Sequence, residues 1–348
     1  MSDELPTDLV LLDVDKPLFY HGPRIPLGDL NGGLQQVSYN QALDLVAVVD
    51  AAGVALYSGH DLVKSHANTG ADHNAADVKT SKPANRIDVE TPLLVCCNDD
   101  AGSNRRSLLC VSMAAGHMGF YDLNAVGAGH EITAVSNVTL DGEELAEVRW
   151  RERELLCVCV TGRVLLVDPQ SAAVTCVHDV VDFAAACAGP VGGSDFVLLG
   201  GAPAGSADSI SGLWNLDLAS SEAWPLSLEG VPPEYEDQLL EATLWGVLPL
   251  PGDTTGRRTD AGCEAVCVFV LEEDEGPTTI QAIFDVSSDF RRATLKAMSF
   301  NEIFIEEMPE RMVMHSVWVP DWSLLILGLS CSADVALLSC HPSCMQGQ

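Results

Sequence analysis

The chain has 348 residues, 47% of them hydrophobic and 6% aromatic, and sets 18 Lys+Arg against 50 Asp+Glu for a formal net charge of −32. Such a surface repels phosphate backbones and anionic lipid, which excludes direct nucleic-acid and membrane-surface binding. No run approaches the ~18 apolar residues that span a bilayer, and Met1–Val10 holds Asp3, Glu4 and Asp8 with no basic segment, so an intracellular, reducing compartment is expected.

Strand signals come in groups separated by Gly, Asp, Asn or Ser turns. The first group is Gln35–Tyr39, Asp44–Asp50, Gly53–Ser58 and Asp61–Lys64. Ile87–Cys97, Ser107–Met113, Met118–Asp122 and Glu131–Val138 form the second. Glu144–Trp150, Glu154–Val160, Arg163–Asp168 and Ala173–His178 form the third. The fourth is Val181–Ala188, Asp195–Gly200, Leu213–Leu218 and the outer strand Trp224–Leu228. Leu239–Leu250, Glu264–Leu271, Thr279–Val286 and Arg292–Met298 make the fifth. The sixth is Val313–Val319, Ser323–Leu329 and Asp334–Ser339, with a Pro320–Asp321 corner and a small-residue turn at Ser330–Ala333.

The third strands make the repeat visible: GVALYSG, HMGFYDL, RVLLVDP, GLWNLDL, QAIFDVS and DVALLSC. Recurrent antiparallel meanders of this kind predict an all-β fold, a β-propeller of six to seven blades in a single domain over residues 1–348. Leu9–Asp15 is a candidate closing strand. Trp150 and Trp245 end two inner strands and are expected to wedge between blades. Residues 65–85, 99–106 and 251–262 read as protruding mobile loops.

Enzyme chemistry has no foothold. There is no nucleophile elbow, P-loop or dinucleotide fingerprint, and Gly189–Gly193 lacks the Lys and helix that cradle phosphate. The twelve cysteines lack paired zinc spacing. Cys110, Cys157, Cys159, Cys176, Cys267 and Cys331 fall in or beside apolar strands, where a free thiol acts as a small hydrophobe. No metal, no cofactor and no catalytic residue is expected. The acidic runs have two readings: solvated surface that keeps an apolar chain dispersed, or a docking surface for a basic protein.

Several stretches, in collinear order over about 300 residues, resemble one family. They are VSYNQALDLVAVVDAAGVALYSGHDLV (Val37–Val63), HMGFYDL, ELAEVRWRERELLCVCVTGRVLLVD (Glu144–Asp168), PPEYEDQLLEATLWG (Pro232–Gly246) and MVMHSVWVPDWSLLILGLSCSADVALLS (Met312–Ser339). The resemblance is to the N-terminal propeller of the cytoplasmic-face nucleoporin that docks the mRNA-export DEAD-box helicase, the vertebrate CAN oncoprotein family. It implies a nuclear-pore adaptor at the nuclear envelope. Its partners would be other pore proteins and the N-terminal RecA-like domain of a DEAD-box RNA helicase, bound in competition with RNA. The loop Glu234, Tyr235, Glu236 and Asp237 matches the family's contact loop, and Asp321 is a further candidate. The family propeller has seven blades and its Phe-Gly repeats lie on a tail. This chain supplies six groups and no such repeats, so the final blade is expected to be incomplete or shortened. The rival readings are a generic WD-like scaffold, which lacks the repeated Gly-His and Trp-Asp signatures, and a propeller enzyme, for which no convergent channel residues are found.

Overall fold

Runs rich in Val, Leu and Ala, broken by Gly, Asp and Ser, form short antiparallel strands in a computed structural model. The model describes residues 19–27, 30, 36–62, 82–98, 107–128, 132–140, 142–179, 183–191, 194–203, 212–249, 262–273, 276–301, 313–319, 324–329 and 334–340. Strand β1 (Phe19–Pro26) comes first. Blade 1 is β2 (Gln36–Asn40), β3 (Leu45–Asp50), β4 (Gly53–Ser58) and β5 (Asn85–Asp88). Blade 2 is β6 (Pro92–Cys97), β7 (Leu108–Met113), β8 (His117–Asp122) and β9 (Ala134–Thr139). Blade 3 is β10 (Leu145–Arg151), β11 (Glu154–Cys159), β12 (Val164–Val167) and β13 (Val174–His178). Blade 4 is β14 (Phe183–Pro190), β15 (Phe196–Pro203), β16 (Gly212–Asp217) and β17 (Glu222–Pro225).

Blade 5 holds β18 (Ser227–Glu229), helix α1 (Pro233–Glu241), β19 (Thr243–Pro249), β20 (Cys263–Glu273), β21 (Gly276–Val286) and β22 (Arg292–Asn301). Blade 6 is β23 (Val313–Val319), β24 (Leu324–Leu329) and β25 (Asp334–Cys340), completed by β1 as the outer strand. Inner strands touch around the circle from β2 to β6, β10, β14, β19 and β23, and β23 meets β2 again. The six sheets of the described residues therefore form a β-propeller. The ring is tied by the pairing of the early strand β1 with the late strand β25, so Phe19–Pro26 closes it and Leu9–Asp15 lies outside the described residues.

The core lies in the seams between blades. Leu56, Leu109 and Val111 pack between blades 1 and 2, and Phe120, Met118 and Leu155 between blades 2 and 3. Leu156, Val158, Val197 and Leu199 fill the next seam, and Leu213, Leu244, Phe269 and Phe284 the one after. Each fully buried aliphatic or aromatic side chain contributes about 1.5–3 kcal/mol, so the seams hold the ring together. The seam between blades 4 and 5 is tight enough to need glycine: a Cβ at Gly189 would stand 2.6 Å from the Val247 carbonyl oxygen.

Inner strands also leave unpaired backbone groups along one edge, and side chains from the next blade satisfy them. Three alternate residues of β2 do this to blade 2. Gln36 accepts from the Val95 N–H, Ser38 accepts from the Cys97 N–H at 2.9 Å, and Asn40 donates to the Asn98 carbonyl at 2.6 Å. Trp150 is wedged between blades as expected. Its indole N–H donates to the Cys96 carbonyl at 2.9 Å, and its ring meets Phe120 edge-on at 6.1 Å. The Trp245 side chain lies outside the described residues.

The Asp that ends several third strands has a structural task. Asp168 accepts from the Gln170 N–H at 2.8 Å and the Ser171 hydroxyl at 2.6 Å. Asp217 repeats this with the Ala219 N–H and the Ser220 hydroxyl, both at 2.9 Å. The pattern is an Asx-turn that launches the outer strand. Hydrogen bonds from Ser171 and Gln170 hold the Asp168 carboxyl below the ordinary carboxylate range.

Several strand boundaries differ from expectation. The fourth strand of blade 1 is Asn85–Asp88, not Asp61–Lys64, and Ile87–Cys97 is two strands divided at Thr91, whose φ is 48°. An outer strand is half-exposed and has no apolar alternation to reveal it. Trp224–Leu228 is likewise divided: β17 stays in blade 4, whereas β18 runs parallel to β22 on the edge of blade 5. Residues 82–84 and Gly262, expected in loops, are described, but 65–81, 99–106 and 251–261 lie outside the described residues. Cys110, Cys157, Cys159 and Cys267 are buried free thiols, as expected of small hydrophobes, whereas Cys176 is exposed because β13 is an outer edge. Cys331 lies outside the described residues.

Candidate functional site: an acidic helix at the seam of blades 4 and 5

The stretch Glu234–Asp237, expected as a loop, is the first turn and a half of α1. The reason is local chemistry. Pro232 is extended at the N-cap, with φ −61° and ψ 139°, and Pro233 occupies the first helical position, where a missing N–H costs nothing. Glu234 and Glu236 then sit in the first turn, where their charge complements the positive end of the helix dipole. No side chain caps the helix, and the Tyr235 N–H reaches back to the Pro232 carbonyl at 2.9 Å. A proline pair followed by alternating Glu is a helix-start signal that the sequence displays.

One face of α1 is committed to packing. Leu239 is buried in the seam between blades 4 and 5, and Ala242, just past the helix, is buried with it. Tyr235 is half-buried against the same cluster. The opposite face is in water: Glu234, Glu236, Asp237, Leu240 and Glu241 are all exposed. The helix thus fixes the backbone of all four residues, Glu234–Asp237, and leaves the three carboxylates among them exposed. Tyr235 points the other way, into the seam. Asp321 lies outside the described residues.

Helix α1 contacts β20, which runs unusually far in this blade. The ladder of β19, β20, β21 and β22 ends at the level of Thr243, Val270, Thr279 and Asn301. Beyond it, β20 and β21 continue as a two-stranded extension that pairs Glu272 with Pro277 and Glu273 with Gly276. Acidic positions of the helix and of the extension therefore share one corner of the propeller.

Charge is distributed unevenly between the two faces. Call upper the face on which the inner strands begin. Its described connections include Glu90, Glu143, Glu144, Asp179 and the carboxylates of α1. Arg163 is the one cation in those described connections, and it is ion-paired with Glu143 and, at 3.3 Å, with Asp179. Slight desolvation disfavours the Glu143 anion, but hydrogen bonds from Arg163 and Thr161 outweigh it and keep its pKa below the ordinary value. The lower face mixes signs. Arg151 pairs with Glu154 at 3.7 Å and with Asp195 at 2.5 Å, and Arg291 stacks over Trp224 at 4.2 Å.

No set of three or more His, Cys, Asp or Glu side chains is placed to hold a metal among the described residues. No helix of the described residues is long and apolar enough to cross a membrane.

No protein-family model matches the chain, and neither does any curated protein. Solved structures do. A chain of the mitotic checkpoint complex is 11% identical with a TM-score of 0.52, over 96% of this chain and 100% of that one. U3-55K is 8% identical with a TM-score of 0.52, over 88% and 80%. The N-terminal domain of Nup159 is 10% identical with a TM-score of 0.47, over 92% and 95%. Identities this low speak to the fold alone. What fold and site define together is a propeller whose described upper-face connections are acidic and carry the acidic helix α1.

Proposed function

We propose that the whole chain is a single propeller domain acting as a nuclear-pore adaptor of the CAN oncoprotein type. In this reading α1 docks the N-terminal RecA-like domain of a DEAD-box RNA helicase at the cytoplasmic face of the pore. The observation that supports it is the pairing of the sequence resemblance at Pro232–Gly246 with the exposed carboxylates of Glu234, Glu236 and Asp237 on a helix held by Leu239. Packing fixes the helix before binding, so little ordering entropy opposes association.

The mechanism is competition for cations. Carboxylates and phosphates take the same Arg and Lys side chains by charge-assisted hydrogen bonds. A helicase surface engaged by α1 is then closed to RNA, which favours release of messenger ribonucleoprotein on the cytoplasmic side. Catalysis by the propeller itself forms no part of the mechanism.

The test is competition at low salt. Helicase bound to the propeller should be displaced by single-stranded RNA, and its affinity should fall as salt rises through the range where screening shortens to about 10 Å and below. A stable ternary complex of propeller, helicase and RNA would overturn the exclusion mechanism.

A further inference from the structure

We propose that the outward face of α1 binds a cationic protein surface with an apolar centre, and that Leu240 is the anchor of that contact. The inference rests on the docking role of α1 and adds to it the chemistry that holds the partner once it has arrived. Leu240 is 45% exposed, next in sequence to Leu239, which is 4% exposed. The α1 side chains in the seam cluster are Tyr235 and Leu239, and Leu240 is not among its members. Glu236 and Asp237 stand four and three residues before it, on the same side of the helix, and Glu241 follows it. An apolar side chain ringed by carboxylates fits a pocket ringed by Arg or Lys.

Among the described residues, the other large hydrophobics of comparable exposure are Val135, Val160 and Val174, all in blades 2 and 3 and away from this corner. The occupant is a protein and not nucleic acid, because the described upper-face connections hold one cation, Arg163, already engaged by Glu143 and Asp179. The two kinds of residue divide the labour of binding. Carboxylates accelerate encounter and set the salt dependence, whereas a buried apolar anchor within a polar ring slows dissociation.

The experiment uses the intact chain and two synthetic peptides of equal positive charge, an amphipathic Lys/Leu helix and a Lys/Gly peptide with no apolar face. Titration by fluorescence anisotropy should show the Lys/Leu peptide bound about tenfold more tightly, the scale of burying part of one leucine. Leu240→Ala should remove that advantage and leave the Lys/Gly peptide unaffected. Alanine suits an exposed helical site, and Leu240→Gln serves as a second variant with the same expected result. Neutralising Glu236 and Asp237 to Gln and Asn should weaken both peptides alike. Equal affinity of the two peptides for the wild type, or an advantage that survives both Leu240 variants, overturns the proposal. Failure of the helicase itself to bind would refute the functional reading and leave this result standing.

Discussion

Arg86→Met should destabilise blade 1 markedly. Asp50 ends β3 with no solvent exposure, and its carboxylate accepts from the Arg86 guanidinium on the short outer strand β5. It also accepts from the Ala52 N–H at 2.9 Å. The Arg86 side chain is 22% exposed, and its pKa is raised, first by the hydrogen bond to Asp50. Removing it takes the counter-charge from a buried carboxylate, for which losses of about 3–5 kcal/mol are typical. The partners that remain, the Ala52 N–H among them, place the expected loss at the lower end, about 3 kcal/mol. With an unfolding entropy near 2 cal/mol/K per residue, that corresponds to a fall in Tm of about 4 °C for a chain of this size.

Urea denaturation at pH 7, checked by thermal unfolding, measures the loss. In the variant the buried Asp50 loses the Arg86 charge, which raises its folded pKa relative to the wild type. The deficit is therefore small where Asp50 is protonated in both proteins and grows as pH rises from the wild-type folded pKa to that of the variant. Acidification should narrow the gap between variant and wild type, because protonation relieves the buried charge. A loss under 1 kcal/mol at pH 7, or a gap that widens on acidification, would refute the reasoning.

Two further outcomes follow from the seams. Glu147 is buried between blades 3 and 4, and burial raises its carboxyl pKa while Arg149, 3.4 Å away, works in the opposite direction. A raised folded pKa means stability that is full below the unfolded value of about 4.3 and declines as pH rises. The wild type should therefore lose stability relative to Glu147→Gln on going from acid to neutral pH, and a gain would contradict the assignment. Trp150→Phe keeps a ring against Phe120 but removes the indole donor from the Cys96 carbonyl, so a loss of about 1 kcal/mol in chemical denaturation is expected. A variant as stable as the wild type would show that the indole bond is dispensable.

The inner and middle strands were legible because burial on both sides forces continuous aliphatic runs, as in Leu45–Asp50 and Gly53–Ser58. The third-strand Asp was visible as a repeat, and its Asx-turn explains why it recurs. Outer strands were harder to read. Asn85–Asp88 pairs on one side only and is half-exposed, so no periodicity marks it. The closing strand Phe19–Pro26 includes two prolines and a glycine, which an outermost strand tolerates because only one edge needs hydrogen bonds. At the site, the residue types were legible but their shape was not. Helix α1 buries Leu239 and half-buries Tyr235, too few apolar positions to display a helical period.

Docking is decided most directly by one comparison: the affinity of the helicase N-terminal RecA-like domain for the wild-type chain and for Glu236→Lys/Asp237→Lys, at low salt. Both residues are exposed, so the chain should stay folded, with a loss of no more than about 1 kcal/mol from reversed charge near the helix N-terminus. Affinity should fall by about 2 kcal/mol or more, roughly thirtyfold, if the carboxylates meet Arg or Lys in a desolvated contact. Undiminished binding by a variant with both charges reversed would contradict the account and remove α1 from the docking surface.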